Sequence, residues 1–141
     1  MVPQVEVMYV EIPQRVREST GKSETHWLLR RCLPGQRNAA LRWHQHFEKI
    51  CEAAGLRSFP GSPTVLRHEN LMRKIYVNVH VDDILLVCKP EEVQWFQDAV
   101  GSTLTMKVDG PHLPASGEQL MYLKKRITMR EDGILIQPNA T

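Results

Sequence analysis

The chain has few cysteines, no long apolar run and only a small net charge. Its three cysteines among 141 residues are odd in number and lack any close pairing, which argues against a disulfide framework or a thiolate zinc site. No apolar stretch approaches the ~20 residues of a membrane-spanning helix, and the first residues have neither the basic segment nor the apolar core of a secretory signal. We therefore expect an intracellular protein, cytoplasmic or nuclear, that is neither secreted nor bound to a membrane.

Several common catalytic signatures are also missing. The sequence contains no glycine-rich phosphate-binding loop, no nucleophile elbow and no zinc signature. His44 and His46 are two residues apart on a predicted helix, so their side chains point in different directions, and no third ligand has a suitable spacing. These absences leave an acidic motif as the main candidate for chemistry.

The remaining composition, 42% hydrophobic and 24% charged, predicts one globular domain with a core of its own. The net charge of +2 is too small to indicate nucleic-acid binding by itself, but the cations cluster in two patches. These patches contain Arg30, Arg31, Arg37 and Arg42 in the first and Lys124, Lys125, Arg126 and Arg130 in the second. They could contact phosphates if the fold brings them to one side, although each patch alone could equally be solvated surface.

The acidic motif is the pair Asp82 and Asp83, which interrupts two apolar runs without any glycine, proline or Asn-Gly step. Apolar residues alternate with polar ones from Ile75 to His80, and residues 84–88 are continuously apolar, so the pattern predicts two short strands joined at the pair. Two carboxylates ~4 Å apart repel by roughly 4 kcal/mol at an effective dielectric of ~20, and a bound divalent cation would reverse that cost. We predict a magnesium site, with a plain acidic surface turn as the alternative.

Two helices and an antiparallel sheet are expected around this hairpin. The first helix runs from Asn38, as its N-cap, to Ala54, with an apolar stripe that includes Trp43. The second runs from Pro90 to Gly101. Because the helices interrupt hairpins instead of alternating with single strands, the fold class is predicted to be α+β, with one antiparallel sheet and both helices packed on one face.

The C-terminal third is predicted to be extended. Met121, Leu123, Ile127 and Met129 would share one face of a single extended segment. Residues 131–133 would then turn the chain into a further strand, while residues 19–24 and 110–117 are predicted to be loops by composition.

Five short blocks, taken in order, resemble the reverse transcriptase of copia-type retrotransposons. The blocks are VMYVEIP at 7–13, similar to V-Y-M-E-Q-P; LPGQRNAALRW at 33–43, similar to Y-G-L-K-Q-A-P-R-A-W; HVDDILL at 80–86, similar to Y-V-D-D-I-L-I; MK at 106–107 with Gly110, similar to M-K-D-L-G; and YLK at 122–124, similar to F-L-G. The resemblance spans residues 1–141 and implies a partial, palm-centred domain of an RNA-directed DNA polymerase.

The resemblance implies a palm with an antiparallel sheet backed by helices, and a magnesium-dependent nucleotidyl transfer. The primer 3′-hydroxyl attacks the α-phosphate of a deoxynucleotide (dNTP) on an RNA or DNA template, and two Mg²⁺ ions bracket the attacking and leaving oxygens. Asp82 would be the shared metal ligand and Asp83 the supporting one. The remaining implied nucleic-acid and nucleotide contacts are Arg37, Asn38, Arg42, His80, Tyr122, Lys124 and Arg126.

Two of these positions keep open alternatives. His80 stands where the family has tyrosine, and it could be a neutral residue beside the primer terminus or a titrating group that tunes the metal site. Trp43 belongs to the apolar stripe, which favours core packing over base stacking.

The family's third metal-binding carboxylate lies in a D-V-x-x-A-F-L block before V-Y-M-E-Q-P, and the given sequence has no such block. The fingers and the nuclease region are also missing, so the expected partner is the remainder of a Pol polyprotein, and the isolated chain is expected to be inactive. The alternatives are an inactive retroelement relic that folds and binds nucleic acid weakly or has no function, and an unrelated metal-dependent phosphohydrolase using the same acidic pair.

Overall fold

A computed structural model describes residues 6–21, 23–33 and 35–138. These residues contain three α-helices and three antiparallel sheets, which confirms the α+β class. The chain divides into two compact units, Met1–His46 and Phe47–Thr141. The expectation of one sheet was wrong: each strand pairs with its neighbours in the sequence, but in three separate sets, and local periodicity does not report where one set ends. Among the described residues, no helix has the length and apolarity needed to cross a membrane.

The first unit contains a two-stranded sheet and a short helix. Strand β1 (Tyr9–Glu11) pairs with β2 (His26–Leu28), and α1 (Gln14–Thr20) lies between them in the chain. The predicted loop at 19–24 therefore begins too early. The last two α1 residues are helical, and their hydroxyl groups donate to the carbonyl of Val16. Lys22 of that loop and Pro34 of the second block lie outside the described residues.

Helix α2 (Ala39–Ala53) closely matches its prediction. The carbonyl of Asn38 accepts the first helical hydrogen bond, and Gly55 follows the helix with φ +81°, a backbone conformation that glycine adopts without strain. Phe47 and Cys51 of the apolar stripe are buried. Burial, helped by the nearby charge of Glu48, raises the pKa of Cys51 to about 12, so its thiol stays protonated and serves as packing.

A four-stranded sheet forms the centre of the second unit, and its strands are consecutive in both sequence and space. They are β3 (Leu56–Phe59), β4 (Ser62–His68), β5 (Tyr76–His80) and β6 (Asp83–Val87), with a short 3₁₀ helix, Leu71–Arg73, between β4 and β5. The β5–β6 pair is the hairpin predicted from the apolar pattern.

The two faces of this sheet differ in polarity. Leu66, Val77 and Val79 are buried on one face, whereas the opposite face carries exposed charged and aromatic side chains. Helix α3 (Glu92–Gly101) begins two residues after its predicted start. The ring of its Trp95 packs edge-on against His68, with ring centroids 5.2 Å apart, so α3 lies on the buried face. The exposed face is therefore the one left for a ligand.

A three-stranded sheet completes the second unit, with β7 (Gln119–Tyr122), β8 (Lys125–Arg130) and β9 (Gly133–Pro138). The turn at 131–133 was predicted correctly, but the single extended segment was not. A two-residue turn at Leu123–Lys124 separates β7 from β8 and pairs odd-numbered residues of β7 with even-numbered residues of β8. Met121 therefore lies opposite Arg126, on the other face from Ile127.

Candidate functional site

The two candidate metal ligands lie at the tip of the β5–β6 hairpin. His80 pairs with Asp83, which leaves Val81 and Asp82 as the two-residue turn. Asp82 is thus in the turn and Asp83 opens β6, and both are exposed. We call residues 80–83 the acidic turn. Because the strands on either side are continuous, a rigid hairpin presents both carboxylates outward.

The backbone of the acidic turn is strained at Val81. This residue has φ +56° while Asp82 does not have a positive φ, the sign pattern of a type II′ turn, which normally has glycine first. A β-branched residue at positive φ is a conformational outlier, and the Val81 side chain is also 60% exposed. Local preference and solvation both disfavour this arrangement. Such strain persists only where the surroundings fix it, and it concentrates at functional sites.

Among the described residues, no side chain neutralises Asp82 or Asp83. Within residues 6–21, 23–33 and 35–138, neither carboxylate makes a hydrogen bond or an ion pair. Two adjacent acids without partners leave a local negative charge at the end of the hairpin. A hard divalent cation is the ligand that this charge favours.

Tyr122 connects the second hairpin to the first. Its hydroxyl donates to the carbonyl of Asn78 in β5, 3.3 Å away, although the two residues are 44 positions apart. Burial raises the pKa of Tyr122, and the negative charge of Asp83 raises it further. The structure therefore brings Tyr122 close to Asp83. The family resemblance assigned these two residues to separate parts of one site.

The other predicted contacts of the second unit fall on different sides of their hairpins. His80 lies directly across from Asp83, so its exposed side chain is on the same sheet face. Lys124 is exposed in the turn next to Tyr122, with φ +59°. Arg126 is half-buried and lies on the face of the β7–β8 pair opposite to Tyr122. His80 and Lys124 are thus available to a ligand, whereas Arg126 faces away from Tyr122.

The predicted contacts of the first unit lie just before and within α2. Arg37 and Asn38 are exposed in the turn that leads into the helix. The guanidinium of Arg42 forms an ion pair with Glu6 at 3.2 Å, and only 16% of its side chain is exposed. Trp43 is half-buried, in line with packing. Of the two predicted arginines, Arg37 is therefore the one that is open to a phosphate.

Across the described ranges, no group of three or more His, Cys, Asp or Glu side chains is arranged to hold a metal ion. The acidic turn thus supplies two carboxylates. Magnesium in nucleotide-dependent enzymes commonly keeps several waters and binds through one or two carboxylates together with substrate phosphates. The donor set therefore fits an ion delivered with a nucleotide better than an ion held by the protein alone.

A depression on the described surface lies elsewhere. It has a volume of about 440 Å³ and opens between residues 115–117 and 128–132, which include Arg130 of the second basic patch but none of the residues assigned to metal or nucleotide contact. The acidic turn is not part of this depression: residues 81–83 are exposed, whereas small-molecule sites are usually concave and enclose their ligand.

Two features of the site were not found from the sequence. The strain at Val81 had one signal, the missing glycine in a tight turn. The acceptor at Asn78 is a backbone carbonyl, for which no sequence signal exists. No family model matches the chain, and comparison with curated proteins and with solved structures gives no match.

Proposed function

We propose that the chain is the palm-centred part of an RNA-directed DNA polymerase similar to those of copia-type retrotransposons. Its acidic turn would hold Mg²⁺ for transfer of a nucleotide to a primer 3′-hydroxyl. The observation that carries this proposal is the hydrogen bond from Tyr122 to Asn78, because it joins the hairpin of the Y-L-K block to the hairpin of the H-V-D-D block. Blocks that share one site in the family are neighbours in this fold.

The architecture of the second unit supports a palm. Its central sheet is antiparallel, α3 covers one face, and the acidic turn stands at the end of two adjacent strands. Exposed side chains on the other face, including His80 and Asp83, would meet the nucleic acid. A polymer substrate needs such an open face.

The chain's own residues would act mainly by positioning. Asp82 and Asp83 would bind the ion and leave its remaining coordination sites to water and nucleotide phosphates. When bound, the ion would lower the pKa of the primer hydroxyl and neutralise charge that develops on the phosphate. Lys124, exposed on the neighbouring turn, would pair with a backbone phosphate without reading sequence. Tyr122 would hold the two hairpins together through its bond to Asn78.

The second candidate is an inactive relic of the same element. The observation that favours it is the absence of a third metal-binding side chain beside the pair within the part of the chain that the structure describes. A relic of this kind would fold and bind nucleic acid weakly through Arg37 and Lys124, without catalysis.

Primer extension on an RNA template with Mg²⁺ tests the function. We expect no product from the chain alone, and product from a version extended upstream by an aspartate-bearing strand. In that version, Asp82→Asn should reduce the rate by at least about 100-fold, equivalent to ~2.7 kcal/mol of transition-state stabilisation. Asp98→Asn, in an exposed carboxylate of α3, is the matched control and should keep the rate. An extended protein that folds but makes no product would support the relic.

The proximity of Tyr122 and Asp83 has an independent test. In a Tyr9→Phe/Tyr76→Phe background, Tyr122 is the one remaining tyrosine, so the ultraviolet absorbance of tyrosinate reports its titration. We expect Asp83→Asn to lower the pKa of Tyr122, because the charge that disfavours the tyrosinate is removed. Asp82→Asn should have the smaller effect. Because the folded-state pKa is raised, the stability from Tyr122 is present below its ordinary pKa and is lost as pH rises through the raised value.

A further inference from the structure

Four side chains converge at the end of the central sheet that lies away from the acidic turn. His68 ends β4, Arg73 ends the 3₁₀ helix before β5, and Glu92 and Trp95 belong to the first turns of α3. None of them belongs to the predicted site. We call this group the base cluster.

Arg73 is the centre of the base cluster. Its Nε donates to Glu92 Oε1 at 2.9 Å, and its Nη2 donates to Glu92 Oε2, so the contact is bidentate. The guanidinium carbon lies 3.8 Å from the centre of the Trp95 ring, and Nη1 is 3.0 Å from Nε2 of His68. The side chains of Arg73 and Glu92 are only 24% and 16% exposed. The hydrogen bond between them raises the pKa of Arg73 and lowers that of Glu92, so both stay charged.

The position of this pair in the chain gives it a specific effect. Arg73 lies three residues before β5, and Glu92 lies five residues after β6. The contact between them therefore closes a loop that contains β5 and β6, which we call the acidic hairpin. A bidentate arginine–carboxylate contact restricts orientation as well as distance. Both strands of the hairpin are therefore fixed at their base.

The opposite end of the same hairpin contains the strained Val81. A strained turn persists only when the surrounding structure determines it, and β6, the edge strand of the central sheet, pairs with β5 alone. If the strand ends could separate, the turn could relax and the two carboxylates would change their spacing. The base cluster supplies a constraint that opposes this relaxation.

We propose that Arg73 and Glu92 are positioning residues for the acidic turn, fixing the base of the β5–β6 hairpin so that Asp82 and Asp83 keep the geometry that binds a divalent cation. The inference rests on the metal-binding role in the proposed function. It extends that function to residues that would touch neither metal nor nucleotide. Groups that hydrogen-bond directly to metal ligands change metal affinity by about 10–100-fold when they are lost, and we expect a constraint at the far end of the hairpin to act at the low end of that range.

The chain offers a matched control. Arg57 and Glu69 form another ion pair in the same unit, at 3.2 Å, but it joins β3 to the end of β4 and does not flank the acidic hairpin. Its two side chains are 50% and 58% exposed. A general effect of losing an ion pair should appear with either arginine, whereas a positioning effect should appear only with Arg73.

The test uses Mn²⁺ as a paramagnetic probe of the acidic turn. Mn²⁺ broadens the amide NMR signals of residues near its site, so a titration followed at Asp82 and Asp83 gives a dissociation constant, and Mg²⁺ should reverse the broadening. We expect Arg73→Gln to weaken Mn²⁺ binding by about 10-fold or more. Arg73→Lys keeps the charge but loses the bidentate contact, so its Mn²⁺ dissociation constant should lie between those of the wild type and Arg73→Gln. The dissociation constant of Arg57→Gln should stay within about twofold of the wild-type value.

A charge swap and a second measurement complete the design. The double variant Arg73→Glu/Glu92→Arg should recover most of the affinity lost in Arg73→Gln. Amide hydrogen exchange at Val79 and Ile84, which flank the acidic turn, should be faster in Arg73→Gln than in Arg57→Gln. If Arg73→Gln does not fold, Glu92→Gln, which removes the charge but keeps the shape, replaces it.

The outcomes separate the two levels of inference. If the wild-type chain binds Mn²⁺ and Arg73→Gln binds it equally well, the positioning role is overturned and the proposed function stands. If the signals of Asp82 and Asp83 in the wild-type chain do not broaden even with a dNTP present, the metal-binding part of the proposed function fails. In that case the amide hydrogen-exchange rates alone test whether the Arg73–Glu92 contact constrains the hairpin. Faster exchange in Arg73→Gln supports the constraint, and rates equal to those of Arg57→Gln overturn it.

Discussion

Leu66→Ala is expected to lower the free energy of unfolding by about 2–5 kcal/mol. Leu66 is 1% exposed in β4, where it pairs with Val77 of β5, the first strand of the β5–β6 hairpin. The change removes apolar contact and leaves a cavity that the flanking strands cannot fill. Small domains are stable by only ~5–15 kcal/mol. If the wild-type protein lies at the low end of that range, a loss of this size would leave a large fraction of the Leu66→Ala molecules unfolded.

Chemical denaturation followed by circular dichroism measures this effect. Thr64→Ala is the matched control, since Thr64 is exposed in the same strand and should change stability by no more than about 0.5 kcal/mol. The loss in Leu66→Ala should also reduce hydrogen-exchange protection at Val77. A loss below ~1 kcal/mol would show that the sheet is not packed as a core at this position.

Elements with strong local periodicity were predictable from the sequence. Alternation up to His80 followed by an apolar run was enough to place the β5–β6 hairpin, because period-two patterns identify half-buried strands. Asn38 and Gly55 marked the ends of α2 because each has a physical role at a helix terminus. Local chemistry determines such features, so no knowledge of tertiary contacts was needed.

The β7–β8 hairpin could not be predicted in the same way. Its turn consists of Leu123 and Lys124, and both have positive φ. Leucine and lysine are residue types that are common in strands and helices. Turn prediction relies on glycine, asparagine or proline, so this turn gives no signal. Val81 also has positive φ without being a usual turn residue, although the apolar pattern around it placed its hairpin. In both hairpins, tertiary structure overrides local preference next to the candidate site, which is where such conflicts are expected.

The sequence named candidate members of the site but not their arrangement. Asp82, Asp83 and Tyr122 were named from sequence blocks, whereas the hydrogen bond between Tyr122 and Asn78 depends on how two sheets approach each other. The contact between Arg73 and Glu92 is also tertiary. A spacing of 19 residues between an arginine and a glutamate predicts nothing without the fold.

Replacing Leu123–Lys124 with Asn-Gly is expected to raise the free energy of unfolding by about 1–2 kcal/mol. The two residues have φ +50° and +59°, the pattern of a type I′ turn, for which Asn-Gly is the preferred sequence. Left-handed backbone costs an ordinary residue roughly 1–2 kcal/mol, and the greater freedom of glycine in the unfolded chain offsets about 0.5–1 kcal/mol of the gain. Thermal or chemical denaturation measures the net result.

The same replacement should weaken nucleic-acid binding, because it removes the Lys124 charge next to Tyr122. Losing one phosphate contact should reduce the slope of log affinity against log salt by about 1. Leu123→Asn alone is the matched control, since it relaxes one strained position and keeps the lysine, so it should gain stability without losing affinity. If Asn-Gly stabilises the hairpin and leaves the salt slope unchanged, Lys124 does not contact phosphate. If Asn-Gly destabilises the protein, the Leu123–Lys124 turn does not have a strained type I′ geometry.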